Sequence, residues 1–389
     1  MRTPAERAQT AAALKEPDRV PVDIGATGLT GLRVEAQDQL LRHLKIDDVS
    51  ERRLNEPMRI SEPRASLLGR FPTDIACELA VARTENGGDE EEEERQVGWR
   101  VETDAETQAE RAEDAWGVEW TREANAARFQ PAGLPLEGEL QDGWMESRDW
   151  PEPAQAETLK APEDGDGLAR LVGPFGYGLL ETALLLRGRS DVNRDIALGT
   201  GPTFPLLEKI ADLKAEYWER RLSEMETPPM FLMERERLDL LPGLPMEPKL
   251  FRAVLKPRWE RLFQAVRRLS PSSFLLFFCR GYAVETVQDF IEAGVQAVCL
   301  DPLSVRYSKP SFLKREYGLS LAFWGGGVRS KDDFLKGTEE QAKDCVKEAL
   351  DLFAPGGGFI WSLYPAADAD VPPRNIEAAL DAAYEYGLY

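Results

Sequence analysis

The chain has 389 residues, a formal net charge of −21 at pH 7 and a hydrophobic content of 42%. The strong negative charge argues against a nucleic-acid partner, because binding to a phosphate backbone requires clustered lysine and arginine side chains. The hydrophobic content is ample for a full core, and the length fits either two average domains or one large β/α barrel.

The N-terminal sequence lacks the apolar stretch of a signal peptide, and no window of about 18 apolar residues follows it. We therefore expect no membrane span. The four cysteines lie far apart and form no CxxC pair. Reduced thiols and a cytoplasmic protein are the prediction.

Strand-like stretches near residues 20–24 and 71–77 precede a region of different composition. Residues 89–94 form an unbroken acidic run, and residues 96–164 are rich in Glu, Asp, Pro and Trp with weak periodicity. A charge run usually forms a solvated loop, whereas several tryptophans are unusual in a disordered segment. We therefore predict an acidic, tryptophan-containing inserted loop or lid over about residues 84–165, partly ordered.

From residue 168 onward, strand-like and helix-like segments alternate, and the apolar spacing of the helices fits packing on a sheet. The predicted strands are 169–172, 230–233, 274–279, 296–300, 321–324 and 359–363. The predicted helices are 178–186, 205–225, 248–269, 284–293, 310–317, 339–353 and 375–386. Together with the two N-terminal strands, these units predict an α/β fold, a (β/α)8 TIM barrel that forms a single domain over residues 1–389.

Two triple glycines, at residues 325–327 and 356–358, adjoin predicted strands. Glycine adopts positive φ readily and lets a ligand approach the backbone closely. We interpret them as the last two rim loops of the barrel, with Gly326 and Gly357 as substrate-binding positions. Simple tight turns are the alternative. A phosphate-binding site is a weaker alternative interpretation, because neither loop matches a nucleotide-binding pattern.

Several motifs follow one another in a characteristic order along nearly the whole chain. They are EPDRVPVDIG (16–25), DAWGVEW (114–120), VGPFGYGLLETALLLRG (172–188), ADLKAEYWERRL (211–222), LKPRWERLFQAV (255–266), DFIEAGVQAV (289–298), FWGGGV (323–328), APGGGF (354–359) and ADVPPRNI (369–376). In this order and spacing they resemble the uroporphyrinogen decarboxylase superfamily. The resemblance implies a β/α barrel. It is less specific about the reaction, because the superfamily contains the cofactor-free decarboxylase of haem biosynthesis and zinc-dependent methyltransferases that act on corrinoids.

The zinc-dependent branch requires a His-x-Cys pair and a later cysteine that converge on one tetrahedral ion. In this chain Phe277 stands where the histidine would be, Cys279 remains, and the later position falls within the glycines 356–358. The only histidine, His43, lies in a helix-like segment. The resemblance therefore implies no metal or organic cofactor and disfavours methyl transfer.

The decarboxylase branch implies a carboxylate that stabilises a protonated pyrrole ring and arginines that bind the other acid groups in bidentate fashion. Arg33 and Arg280 are the candidates for substrate binding. Asp74 and Glu234 are the candidates for the catalytic carboxylate, with Glu236 as an alternative to Glu234. For Arg33 and Asp74, an ordinary surface ion pair is the competing interpretation.

Relatives carry a histidine in the loop after the last strand, where this chain has Tyr364 and Pro365. Tyr364 is a candidate catalytic residue, because a phenol can donate a hydrogen bond. The GPF motif is retained, so Gly173 and Phe175 are expected at the substrate site. Tyr177 follows them as a polar group at the same rim.

The resemblance thus implies a lyase that decarboxylates a tetrapyrrole or another small polycarboxylate. Loss of the motif histidines supports an alternative, a protein that binds such a ligand and has lost the chemistry. Corrinoid methyl transfer is the third hypothesis. The expected partner is the small-molecule substrate, and a homodimer is left open.

Overall fold

Eight parallel strands, numbered β1 to β8 along the chain, form a nearly closed barrel with helices between them. This confirms the predicted (β/α)8 TIM barrel. The computed structural model describes residues 2–50, 53–55, 57–82, 100–153, 156–159, 167–241, 244–281, 283–301, 310–325 and 336–389. The barrel strands are β1 (Val22–Asp23), β2 (Ile75–Ala82), β3 (Ala169–Val172), β4 (Phe231–Arg237), β5 (Phe274–Arg280), β6 (Ala297–Leu300), β7 (Ala322–Trp324) and β8 (Phe359–Ser362).

Twelve α-helices are found in the described part of the chain. They are α1 (Pro4–Ala12), α2 (Val34–His43), α3 (Ala65–Arg70), α4 (Leu179–Arg187), α5 (Arg189–Leu198), α6 (Thr203–Ser223), α7 (Pro248–Val254), α8 (Lys256–Leu269), α9 (Val287–Ala293), α10 (Pro310–Tyr317), α11 (Glu339–Phe353) and α12 (Pro373–Tyr386). The predicted helix 248–269 is two helices, since α7 ends at Val254 and α8 begins at Lys256. Among the described helices, none combines the length and the apolar character needed to cross a bilayer.

The barrel strands are buried on both faces, which explains why they read as continuous apolar runs rather than as alternating ones. Along β5, Leu276 and Phe278 face the interior of the barrel, where they join one apolar cluster. Leu275 and Phe277 face the surrounding helices and belong to a second, larger cluster. The same alternation applies to each neighbouring strand, since successive side chains point to opposite faces.

Helix α1 fills the end of the barrel at which the strands begin. Its start is fixed by a capping box, in which Thr3 and Glu6 satisfy each other's backbone N–H groups. Ala8, Ala11 and Ala12 pack into the interior cluster. The opposite end, at which the strands finish, is the barrel mouth.

Asp74 joins the two ends of the sheet, between β1 and β2. Its backbone N–H donates to the Val22 carbonyl at 2.8 Å, and its Oδ2 accepts from the Val22 N–H at 2.8 Å. Arg7 and Arg19 pair with the same carboxylate at 2.6 and 2.7 Å. Because Asp74 precedes β2, it lies at the end opposite the mouth. Its position corrects the expectation that it belongs to the substrate site.

Part of the predicted insertion is an antiparallel sheet of four strands that packs on the barrel. Its strands are Arg100–Thr103, Glu110–Glu113, Glu119–Arg122 and Gln130–Gly133. Trp116, Trp120 and Phe129 are buried in the same apolar cluster as the barrel helices. The acidic run 89–94 lies outside the described residues.

We predict that Asp74→Ala lowers the free energy of unfolding by about 3 kcal/mol, because Arg19 loses its carboxylate partner and Arg7 keeps only Asp18. Urea denaturation followed by tryptophan fluorescence measures the change. Asp212→Ala, an exposed change on α6, should leave stability unaltered. A stable Asp74→Ala protein that has lost only its activity would contradict the structural role.

Candidate functional site

Glu234 lies on the outer face of β4, between the sheet and α6. Its Oε2 accepts from Lys214 Nζ at 2.8 Å, and its Oε1 accepts from Trp218 Nε1 at 2.7 Å. Both members of the Lys214 pair are completely buried. Glu234 therefore points away from the barrel interior. This placement corrects the expectation that it is the carboxylate at the mouth.

Glu236 also points outward, and it caps the start of α4. Its carboxylate accepts from the backbone N–H groups of Leu180 and Glu181 at 3.1 and 3.2 Å and from Trp259 Nε1 at 3.2 Å. Burial raises its pKa to about 7, although these hydrogen bonds favour the ionised form. Gly178 allows this close approach, since a Cβ there would lie 2.3 Å from Glu236 Oε1.

The arginines between these glutamates face the barrel mouth. Arg235 pairs with Glu181 at 2.8 Å, and Arg237 forms a two-point pair with Asp239 at 2.6 and 2.8 Å. Arg280, at the end of β5, lies directly beside Arg237 in the strand register. It contacts Glu181 at 3.5 Å.

Glu181 balances part of this positive charge. Burial alone would raise its pKa, but Arg235, Arg280 and Arg237 hold the pKa below its ordinary value. Glu181 is therefore ionised at neutral pH. Its carboxylate is committed to the arginines of the barrel, so it does not cancel charge elsewhere at the mouth.

Two further arginines reach the mouth from outside the strands. Arg33, after β1, is buried, forms an ion pair with Asp368 and donates to the Ala127 carbonyl at 3.0 Å. Burial lowers its pKa to about 10, with further lowering by the charges of Arg128 and Arg280. It joins the loop after β1, the insertion and the loop after β8.

Arg128 comes from the insertion, in the loop between its last two strands. The side chain is exposed, and no acidic residue in the described ranges forms an ion pair with it. Partial desolvation and the charges of Arg280 and Arg237 lower its pKa. The barrel mouth thus holds Arg128, which has no ion pair among the described residues, together with Arg280, whose contact with Glu181 is long at 3.5 Å.

Tyr364 lies at the mouth beside Arg280, as the sequence motif suggested. Its ring packs edge-on against Phe278 at 4.8 Å, and it follows β8 with a cis bond to Pro365. Burial, followed by the charge of Asp301, raises the pKa of the phenol well above its ordinary value. Tyr364 therefore stays protonated and can donate a hydrogen bond.

Asp301 was not among the residues selected from sequence. It directly follows β6 in the ladder, since its N–H donates to the Cys279 carbonyl at 3.1 Å. The alternation that places Cys299 in the barrel interior places Asp301 on the same side. The signal was present, because a carboxylate that directly follows a buried parallel strand is expected at the mouth.

Ser362 adds a buried hydroxyl deeper in the barrel. It ends β8 opposite Asp23 of β1 and is 3% exposed. Its Oγ has no hydrogen-bond partner among the described residues. Gly325 passes so close that a Cβ there would lie 2.3 Å from this oxygen. The Asp23 carboxylate itself is satisfied, because Trp324 Nε1 and two groups of the following loop donate to it.

The GPF loop, with Gly173 and Phe175, follows β3 and is held by α6. Tyr217 donates to the Gly173 carbonyl at 3.1 Å, and Lys214 donates to the Phe175 carbonyl at 3.0 Å. Tyr177 ends this loop at the mouth, with the Arg235 guanidinium 5.2 Å from its ring centre. Lys214, which pairs with Glu234 on the outside of β4, therefore also holds the loop that follows β3.

Gly325 and the glycines at 356–358 lie at opposite ends of the barrel. Gly325 directly follows β7 at the mouth, and Gly326 lies outside the described residues. Gly357 precedes β8, where its backbone meets Lys15; a Cβ there would lie 2.2 Å from that residue's carbonyl carbon. This position corrects the expectation that Gly357 binds substrate, because a residue before a strand belongs to the far end.

The two positions compared with zinc ligands, Phe277 and Cys279, both face the surrounding helices rather than the mouth. Within the described ranges, no three His, Cys, Asp or Glu side chains converge as a metal site would require. His43 is on α2, where it contacts Glu377 at 2.9 Å.

Comparisons with protein-family models and with curated proteins find no match. A methyltransferase from Methanosarcina mazei has a similar structure, with a TM-score of 0.57, 15% sequence identity and 99% coverage of each chain. At this identity the likeness shows the fold alone.

Two xylanases match less well. TsXylA from Thermoanaerobacterium saccharolyticum has a TM-score of 0.28 at 14% identity, over 48% of this chain and 68% of the other. Xylanase 10B from Thermotoga maritima has a TM-score of 0.33 at 11% identity, over 57% and 76%. These likenesses carry no argument.

We predict that Glu234→Gln lowers the free energy of unfolding by about 3–5 kcal/mol, because Lys214 would remain buried without its partner. Urea denaturation measures this loss, and the exposed change Glu216→Gln on α6 is the control. If Glu234→Gln kept full stability while abolishing activity, the placement described above would be wrong.

We predict a pH-dependent effect for Glu236→Gln. Between its ordinary pKa of 4.5 and about 7, the folded protein holds a proton that the unfolded chain has lost, so stability falls as pH rises through this window. The glutamine of the variant does not titrate in this window. The free energy of unfolding of the variant, relative to that of the unchanged protein, should therefore rise by on the order of 2–3 kcal/mol from pH 4 to pH 8, which denaturation at each pH measures. A constant difference across this range would refute the assignment.

Proposed function

We propose that the barrel mouth binds a small polycarboxylate, such as a tetrapyrrole, and that the chain decarboxylates it as a divergent member of the uroporphyrinogen decarboxylase superfamily. The observation that carries the proposal is the crowding of guanidinium groups at the mouth, where Arg128 has no ion pair among the described residues and the contact of Arg280 with Glu181 is long at 3.5 Å. Like charges brought together repel, and a bound carboxylate relieves that repulsion through charge-assisted hydrogen bonds.

The reaction requires one carboxylate of the substrate to leave as carbon dioxide. The electron pair of the breaking carbon–carbon bond moves into a protonated ring, a proton is then added at the carbon that has lost the carboxylate, and the ring releases the proton that it first received. Arg128 and Arg280 hold carboxylates that are not lost. Asp301 faces the positive charge that develops on the ring, and Tyr364 donates a hydrogen bond.

The interior below these groups is apolar. Leu29 and Phe278 pack there, and the hydroxyl of Ser362 interrupts the apolar surface. Such a mixture suits a ligand with an apolar body and acidic substituents, because pockets for small molecules are mostly apolar with a few placed polar groups. It supports a tetrapyrrole over a compact, fully polar acid.

Methyl transfer is the second candidate, and the full-length fold match to a methyltransferase favours it. The outward orientation of Cys279 weighs against the zinc-dependent form of that reaction, because its thiol would not reach a substrate at the mouth. Zinc analysis of the purified protein separates the two candidates: stoichiometric zinc that is required for activity would favour methyl transfer.

We predict that the protein converts uroporphyrinogen to coproporphyrinogen under anaerobic conditions, measured by chromatography of the oxidised products. Asp301→Asn should lower kcat by at least about 100-fold, as removal of a charge-stabilising group does, with porphyrin affinity retained. Arg268→Gln on α8 is a matched surface control. Porphyrin binding without turnover would instead favour the lapsed binding protein, and neither binding nor turnover would refute the proposal.

A further inference from the structure

We infer that Arg128 of the insertion is a specificity-determining residue, which selects ligands carrying a carboxylate beyond those that the barrel itself can hold. This inference rests on the proposed polycarboxylate site and names the residue that sets its preference. The barrel strands supply Arg235, Arg237 and Arg280, whereas Arg128 approaches from a separate layer of structure.

The loop that carries Arg128 is fixed on both sides of that residue. Arg33 donates to the Ala127 carbonyl at 3.0 Å, and Arg122 donates to the Ala126 carbonyl at 3.1 Å. On the other side, the Phe129 N–H donates to the Pro57 carbonyl at 3.1 Å. The backbone position of Arg128 is therefore determined by the chain around it.

The side chain itself is committed to no carboxylate within the described residues. The other guanidinium groups at the mouth each have one: Arg33 pairs with Asp368, Arg235 and Arg280 pair with Glu181, and Arg237 pairs with Asp239. A fixed backbone with an uncommitted charged end is what a ligand-selecting residue requires, since the loop need not be ordered on binding.

The neighbours of Arg128 identify the chemistry of its ligand. The loop that carries Arg128 adjoins Arg33, which donates to the Ala127 carbonyl and pairs with Asp368 in the loop after β8. The charges of Arg280 and Arg237 also lower the pKa of Arg128, so a ligand group that meets these guanidinium groups together is anionic. A carboxylate satisfies this, because it accepts two-point contacts from arginines.

The test compares Arg128→Gln with the unchanged protein on uroporphyrin, coproporphyrin and mesoporphyrin, which carry successively fewer carboxylates on one macrocycle. Binding is followed by porphyrin fluorescence at fixed ionic strength. We expect affinity for uroporphyrin to fall about tenfold or more, while affinity for mesoporphyrin, which carries two carboxylates, falls less. Arg111→Gln, an exposed arginine of the same sheet, should alter none of the three.

Each possible result either supports or contradicts the inference about Arg128. Equal weakening for all three porphyrins would show a general charge effect and overturn the inference, as would no weakening for uroporphyrin. Either result leaves the polycarboxylate site standing, provided that the unchanged protein binds. If the unchanged protein binds none of the porphyrins, the proposed site and this inference are both refuted. Near-ultraviolet circular dichroism of the tryptophans checks that the insertion keeps its packing.

Discussion

The alternation of side chains along β4 determines which charges enter the barrel. Glu234 and Glu236 face the helices, where Lys214 and the start of α4 receive them. Arg235 and Arg237 face the mouth. A shift of one residue would exchange the two sets and place carboxylates where the guanidinium groups now lie. The outward glutamates are bound by partners that only the helix layer supplies, so this register is strongly favoured.

The barrel could be predicted from sequence because its strands and helices differ in length and spacing. The strand at 169–172 and the helices at 310–317 and 339–353 were predicted with their observed bounds. The site was harder. Both faces of β4 are buried, so its alternating charges gave no sign of which face is inside. The predictions for Asp74 and Gly357 were wrong for another reason. Each residue precedes its strand and therefore lies at the end of the barrel opposite the mouth.

Arg128 could not be predicted, because the insertion has no periodicity that relates it to the barrel. The position of its loop near the mouth depends on contacts between segments far apart in the chain, such as the hydrogen bond from Arg33 to the Ala127 carbonyl. Asp301, in contrast, was predictable. It directly follows an apolar strand, and residues that directly follow the strands of a β/α barrel lie at the mouth.

A chain with a net charge of −21 still concentrates arginines at one end of its barrel. Screening over a Debye length of about 8 Å makes the distant acidic surface weak there, whereas Arg280 and Arg128 act on each other directly. Burying and crowding guanidinium groups costs free energy, and Glu181 and Asp239 offset only part of it. The folded protein therefore holds an arrangement of charge that an anionic ligand would improve, and it does so before any ligand arrives.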